Sequence, residues 1–237
     1  LPVTVIVQDV EPINCWEVPV LNTIRAWFTK TGEASYISHL DLQRVMGRAM
    51  RRAKLPVWYS KGFNPHIYMT FALPLPLGQE SLVESVDFRS EEENLDFEAM
   101  AKALSEALPR GIDVKKMYLA DTDAAKIASA KYQVRVPGDW TKAIEQYNAL
   151  SEAIVEKKTK RGTKPLNLKE QIPSVESWLR DGQTCFTLTL PAGSSGLNLN
   201  PTLLLQYLQE QYGLPASTAE ILRVAIYTED GNKFLGE

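Results

Sequence analysis

The sequence is poor in the residues from which catalytic centres are most often built. It has two histidines and two cysteines in 237 residues. Cys15 and Cys185 lie far apart and form no CxxC or Cys/His cluster. A zinc or iron–sulfur site therefore cannot be assembled from this chain alone. The cysteines read as free thiols in a reducing cytoplasm. No P-loop, GxGxxG, GxSxG or HExxH pattern is present, which removes the motifs that announce their chemistry by spacing. No apolar run reaches the roughly 20 residues of a membrane-spanning helix. The net charge of -3 excludes a protein that coats nucleic acid through overall charge, so any polyanion site must be a local patch. Apolar content of 44% and charged content of 23% are those of an ordinary globular protein. The length suits one large domain or two small ones.

One further absence is local. Residues 42–79 hold no Asp or Glu, yet Arg44, Arg48, Arg51, Arg52, Lys54 and Lys61 all fall there. Ser38, with Asp41 three residues on, reads as a helix N-cap with an acid at the third helical position. Leu42, Met46, Ala49 and Ala53 repeat at helical spacing as a buried stripe, and the arginines take the opposite side. Pro56 ends the helix. A solvated helix face usually mixes signs. Like charges at this spacing repel by a few tenths of a kcal/mol per i,i+4 step, and an anionic ligand would relieve them. The bland alternative is a merely wet face.

Next comes the turn of Lys61, Gly62, Phe63, Asn64, Pro65 and His66. Its functional reading is a backbone nest with Lys61 and His66 around a phosphate, and Tyr59 and Phe63 free to stack on bases. Equally, the turn residues could only shape a loop and the aromatics belong to the core. His39 and His66 bracket the stretch. They are expected to approach one another and share a concave site with Asp41 or Arg44. His39, His66 and Asp41 are thus the catalytic candidates, although no third group with defined spacing orients the rings, and each histidine also suits a structural role. A second acid-free stretch carries Lys157, Lys158, Lys160, Arg161 and Lys164 and runs to Lys169. It reads as a long projecting hairpin loop whose charges could reach the helix face and flank one groove. RNA is the natural client of such a surface.

Alternation over residues 22–29, helix periodicity over 38–53, a strand at 67–73, a strand at 82–88, a helix at 97–108 and a strand at 112–119 give the order β-α-β-β-α-β. A small-residue connector follows, and the order recurs through strands at 131–136, 175–179, 184–190 and 222–227, with helices at 140–153 and 201–212. The fold class is read as α+β, two ferredoxin-like units in tandem, covering residues 22–120 and 129–230. One larger mixed sheet with helices on one face fits the same pattern. The apolar residues 1–21 read as an extra strand or extension docked on the body, or a remnant of processing. Ile24, Phe28, Leu42, Met46, Ala49, Phe71, Val86, Phe88, Leu104 and Leu108 should fill the first core. Val134, Ile144, Phe186, Leu188, Leu204, Leu208 and Val224 should fill the second.

The stretch FTKTGEASYISHLDLQRVMGRAMRRAKLPVWYSKGFNPHIYMTFALPLPLG resembles the opening of the bacterial radical SAM-linked domain family. The shared features are F-x-K-x-G, S-H-L-D-L, a basic helix, Y-S-x-G-F-N-P-H and a proline-bearing turn with Leu-Gly. VEKKTKRGTKPLNLKEQI resembles that family's Lys-rich segment. The resemblance covers residues 24–227 and departs from the pattern at Ile67, where proline is expected. It implies a bacterial cytoplasmic protein of unknown function that works with a radical SAM protein. S-adenosylmethionine and an iron–sulfur cluster would belong to that partner, and no cofactor to this chain. Ser38, His39, Asp41, Gly62, Phe63, Asn64, Pro65 and His66 form the signature, with no roles assigned.

Together these features point to an RNA- or nucleotide-recognition partner of a radical SAM enzyme, with tRNA or rRNA as the substrate class and no membrane. The binding residues would be Arg44, Arg48, Arg51, Arg52, Lys61, Gly62, Phe63 and Asn64 of the first stretch and Lys157, Lys158, Lys160, Arg161 and Lys164 of the second. Two other classes compete. One is a metal-independent RNA-processing or modifying enzyme using His39 and His66. The other is a protein-interaction module whose basic face meets an acidic partner.

Overall fold

The computed structural model describes residues 21–159, 162–193 and 196–235. The N-terminal extension up to residue 20, with Cys15, lies outside the described residues, as do Lys160 and Arg161. The chain is a mixed α/β protein of ten strands and five helices among the described residues. Its first half comprises β1 (Asn22–Lys30), α1 (His39–Arg52), β2 (Met69–Phe71), β3 (Glu80–Ser90), α2 (Phe97–Ala107) and β4 (Ile112–Leu119). The second comprises β5 (Ile127–Pro137), α3 (Thr141–Ala149), β6 (Ile154–Thr159), β7 (Gly162–Asn167), α4 (Leu168–Gln171), β8 (Ser177–Arg180), β9 (Gln183–Pro191), α5 (Thr202–Tyr212) and β10 (Glu220–Thr228).

Eight strands form one sheet in the order β4-β1-β3-β10-β5-β9-β8, with β2 pairing on β3. All these pairings are antiparallel except β3 with β10. That parallel contact is short, Leu222 with Glu80 and Arg223 with Ser81, and it joins the two halves. The sheet is therefore continuous, as the larger-sheet alternative required. Within it the first half keeps the order β4-β1-β3-β2 and the second β10-β5-β9-β8.

Each half has its own apolar cluster. In the first, Leu42, Met46, Ala49 and Met50 of α1 and Met100 and Leu104 of α2 pack on Ile24, Ala26, Phe28, Val86 and Phe88. In the second, Ile144 and Tyr147 of α3 and Leu204, Leu205 and Leu208 of α5 pack on Tyr132, Val134, Phe186 and Leu188. Two expected core residues are only half-buried. Leu108 is the C-cap of α2, where the chain leaves the packed face. Val224 sits at a register shift between Arg223 and Ala225. This bulge reverses the alternation of β10, so Ile221 and Arg223 are buried before it and Ile226 and Thr228 after it.

Helix α1 starts as its sequence dictates. The Ser38 hydroxyl oxygen accepts from the Asp41 backbone N–H at 3.2 Å and donates to the Asp41 carboxylate at 2.8 Å. Its end differs from the expectation that Pro56 alone stops it. The helix closes four residues earlier, with Lys54 left-handed at φ 52° and the Leu55 N–H bonding back to the Met50 carbonyl at 3.1 Å. This is a 6→1 closure that normally calls for glycine.

Further along, the expected helix at 140–153 ends at Ala149. The lysine-rich stretch expected as a projecting loop is instead a two-stranded ladder of its own, with Lys157 opposite Lys164. The inward-facing backbone groups pair across the ladder, and β6 packs against α5.

Candidate functional site

Arg44, Arg48, Arg51, Arg52, Lys54 and Lys61 are all exposed. The β3 carboxylates that follow in the sequence are engaged elsewhere. Glu80 accepts from the Gly32 N–H at 2.6 Å, Glu84 pairs with Arg223 at 2.9 Å, and Asp87 takes a two-pronged contact from Arg25 at 2.8 and 2.7 Å. Of the helix arginines only Arg44 has an ion-pair partner among the described residues, Asp41 at 3.0 Å. That pair is exposed on both sides and is worth little. Arg51 donates to the Gly47 carbonyl at 3.1 Å and Arg52 to the Ala107 carbonyl. These bonds orient the guanidinium groups without cancelling their charge. Between α1 and the end of α2 lies a groove of about 600 Å³ lined by Val45, Arg48, Arg52, Glu106 and Leu108.

The signature turn is a tied loop with a free tip. Its root is held by the Ser60 N–H to the His66 carbonyl at 2.8 Å, the His66 N–H to the Ser60 hydroxyl at 3.1 Å, and a 2.8 Å bond between that hydroxyl and His66 Nδ1. The Trp58 N–H bonds the Arg89 carbonyl of β3 at 2.7 Å. Lys61, Gly62, Phe63, Asn64 and Pro65 are exposed, and Gly62 takes a φ of 133°. Phe63 is fully exposed, at 105% relative accessibility, so it is no core residue.

His39 and His66 have separate partners. The His39 ring meets the edge of Phe71, with centroids 5.3 Å apart, and its Nε2 lies 3.1 Å from the Gln43 side-chain nitrogen. Burial, and then the nearby Lys30 charge, hold the imidazole below its ordinary pKa. His66 bonds only within its own loop, to Ser60 and Asn64. The Asp41 carboxylate is engaged by Ser38 and Arg44. Among the described residues no hydrogen bond or ring contact joins these three candidates to each other.

The second basic stretch sits apart in its contacts. Lys157 donates to the Asn198 carbonyl at 2.7 Å, and its partial burial lowers its pKa. Lys164 is exposed on the facing strand. The Lys158 side chain, Lys160 and Arg161 lie outside the described residues. Strand β6 packs against α5 and Lys157 bonds Asn198, both in the second half of the chain.

Several charged residues escaped the sequence. Lys30 is buried, with its ammonium donating to the carbonyls of Ile37 at 2.8 Å and Ser35 at 3.3 Å. This tie fixes the entry to α1. Burial pulls the Lys30 pKa down against the attraction of Glu84. Burial pushes the Glu84 carboxyl up against Arg223, Ser81 and Lys30. Arg223 also donates to the Leu73 carbonyl at 2.8 Å, so one guanidinium binds the two halves and the turn after β2. The F-x-K-x-G pattern was a usable signal for Lys30. Nothing local marks Arg223, whose partner Glu84 is 139 positions away. Beside this seam a cleft of about 530 Å³ opens between Tyr36, Glu80, Arg135, Thr218 and Glu220.

Fold and surface together define an α+β protein with a large mostly antiparallel sheet and an exposed, arginine-rich helix face. The chain belongs to the DUF2344 family, described as an uncharacterised protein conserved in bacteria, which it matches over residues 23–201. It is also similar to a solved structure described as an unknown protein from Galdieria sulphuraria. Identity is 12%, the match covers 86% of this chain and 99% of that one, and the TM-score is 0.27. No curated protein matches the chain. Among the described residues no helix is long and apolar enough to cross a membrane.

Proposed function

We propose that the chain is a cytoplasmic RNA-recognition protein that holds a structured or single-stranded RNA for a partner enzyme. The observation that carries this is the set of exposed arginines on α1, left unneutralised while every nearby β3 carboxylate is engaged by another group. A fixed helix with unmatched guanidinium groups suits a phosphate backbone. The tied loop continues the surface with Lys61 and a free Phe63. The resemblance to the radical SAM-linked domain supports a radical SAM protein as the partner, with S-adenosylmethionine and the iron–sulfur cluster on that side. The strand orders of the two halves support reading residues 22–120 and 129–230 as two ferredoxin-like units fused at β3 and β10.

The test is binding to single-stranded RNA at increasing salt, without any partner. Log K should fall linearly with log salt, by about 0.7 per neutralised phosphate. Replacing Arg48 and Arg52 by Ala should weaken binding and lower the slope by about one per lost contact. Affinity indifferent to salt and to both substitutions defeats the proposal, and binding only to an acidic protein partner would replace it with a protein-interaction module. Capture from bacterial lysate, with RNA and proteins identified, tests the radical SAM partner.

A further inference from the structure

The face of the first-half sheet turned away from α1 and α2 is built differently from the helix side. Ile67, Met69 and Phe71 point to the helix-side core, so strand alternation sends Tyr68 and Thr70 the other way. On β1 and β3 the same alternation sends Thr23, Arg25, Asp87 and Arg89 to that face. These six residues line one groove of about 510 Å³, within the usual size range of small-ligand sites. The Arg89 guanidinium lies over the Tyr68 ring at 4.5 Å from its centroid. Tyr68 remains 44% exposed. The guanidinium covers part of the ring, and the ring keeps solvent access for stacking.

Charge separates this groove from the α1 surface. Arg25 is buried and its charge is matched by Asp87. A further hydrogen bond to the Thr122 carbonyl at 2.7 Å fixes it in place. Asp121 and Asp123 stand at the groove's border. A phosphate would be repelled there. A nucleobase would not: its edge carries both donors and acceptors, and its flat face stacks on aromatic and guanidinium planes. The Trp58 N–H bond to the Arg89 carbonyl places the root of the Lys61–Phe63 tip beside the platform. A strand whose phosphates lie along α1 can therefore pass the loop at the sheet edge and turn a base into the groove.

We propose that this groove is a nucleobase site, with Tyr68 and Arg89 as its stacking platform. It deepens the RNA-recognition reading and rests on it for the identity of the strand. The test compares a labelled single-stranded RNA decamer with an abasic ribose–phosphate chain of the same length, using the full chain. The wild type should hold the RNA about tenfold more tightly per engaged base. Tyr68→Ala and Arg89→Ala should each remove most of that preference and leave the salt slope unchanged, and Tyr68→Phe should restore it. Equal affinity of the wild type for both chains overturns the base site and leaves the phosphate surface standing. So does a preference that survives both alanine substitutions. Should neither chain bind, the phosphate surface fails. Titration with free nucleosides, read by NMR shifts at Tyr68 and Thr70, then decides the groove: shifts confined there support it, and none overturn it.

Discussion

The arginines of α1 and those of the sheet are one residue type in two electrostatic settings. Arg48 and Arg52 stand in solvent with no carboxylate partner among the described residues. Arg25 and Arg223 are buried against Asp87 and Glu84. The acids of β3 lie closer in sequence to α1 than to β10, yet Glu84 serves β10. What decides is sheet order. The parallel contact of β10 with β3 brings Arg223 beside Glu84, so that acid is not available to α1. Arg25 and Arg223 are thus dry and matched, whereas Arg48 and Arg52 are wet and without an ion pair among the described residues.

The sharpest way to break this contrast is Arg223→Ala. It strands the Glu84 carboxylate in the interior and should cost about 3–5 kcal/mol, measured by urea unfolding. The double variant Arg223→Met with Glu84→Leu should recover much of the loss, since replacing both charges removes the stranded group. Equal losses in single and double variants would show that packing at the seam, and not charge, holds the halves. Ser38→Ala should cost about 1 kcal/mol through the lost cap of α1, with the thermal midpoint as readout.

A smaller effect comes from His39. Burial holds its folded pKa below the ordinary value, so the unfolded chain takes up the proton first as pH falls. Stability should be full above about pH 6.5 and decline below it. His39→Gln should flatten that decline, and an unchanged profile would remove His39 as its source. Smallest in stability are Arg48→Ala and Arg52→Ala, expected within about 0.5 kcal/mol of wild type. They sharpen the comparison because RNA affinity should still drop. A large stability loss would mean that these side chains serve the fold, Arg52 through its bond to the Ala107 carbonyl.

Much of the first half was legible locally. The cap of Ser38 and Asp41, the stripe of Leu42, Met46 and Ala49, and the alternation of Ile24, Ala26 and Phe28 all act between residues a few positions apart, and each is found as expected. The exposure of the α1 arginines was legible for the same reason. Phe63 was ambiguous, because a turn residue gives no periodicity from which to read burial. The approach of His39 to His66 was expected from chain return alone, but Phe71 and Gln43 meet one ring and Ser60 meets the other. The lysine-rich stretch looked like a loop, because its cross-strand pairing of Lys157 with Lys164 leaves no apolar alternation to read.

The sequence by itself determined the elements of the first half and their order, the absence of acid around α1 and the face on which its arginines lie. These follow from backbone periodicity, capping and charge within a turn or two of chain. Only the tertiary structure decided that β3 and β10 join in parallel, that Arg223 reaches Glu84 across 139 positions, and that Tyr68 and Arg89 meet on the open face. Each of those depends on which strands become neighbours, and that choice is made by burying two apolar clusters at once, a condition no local stretch contains.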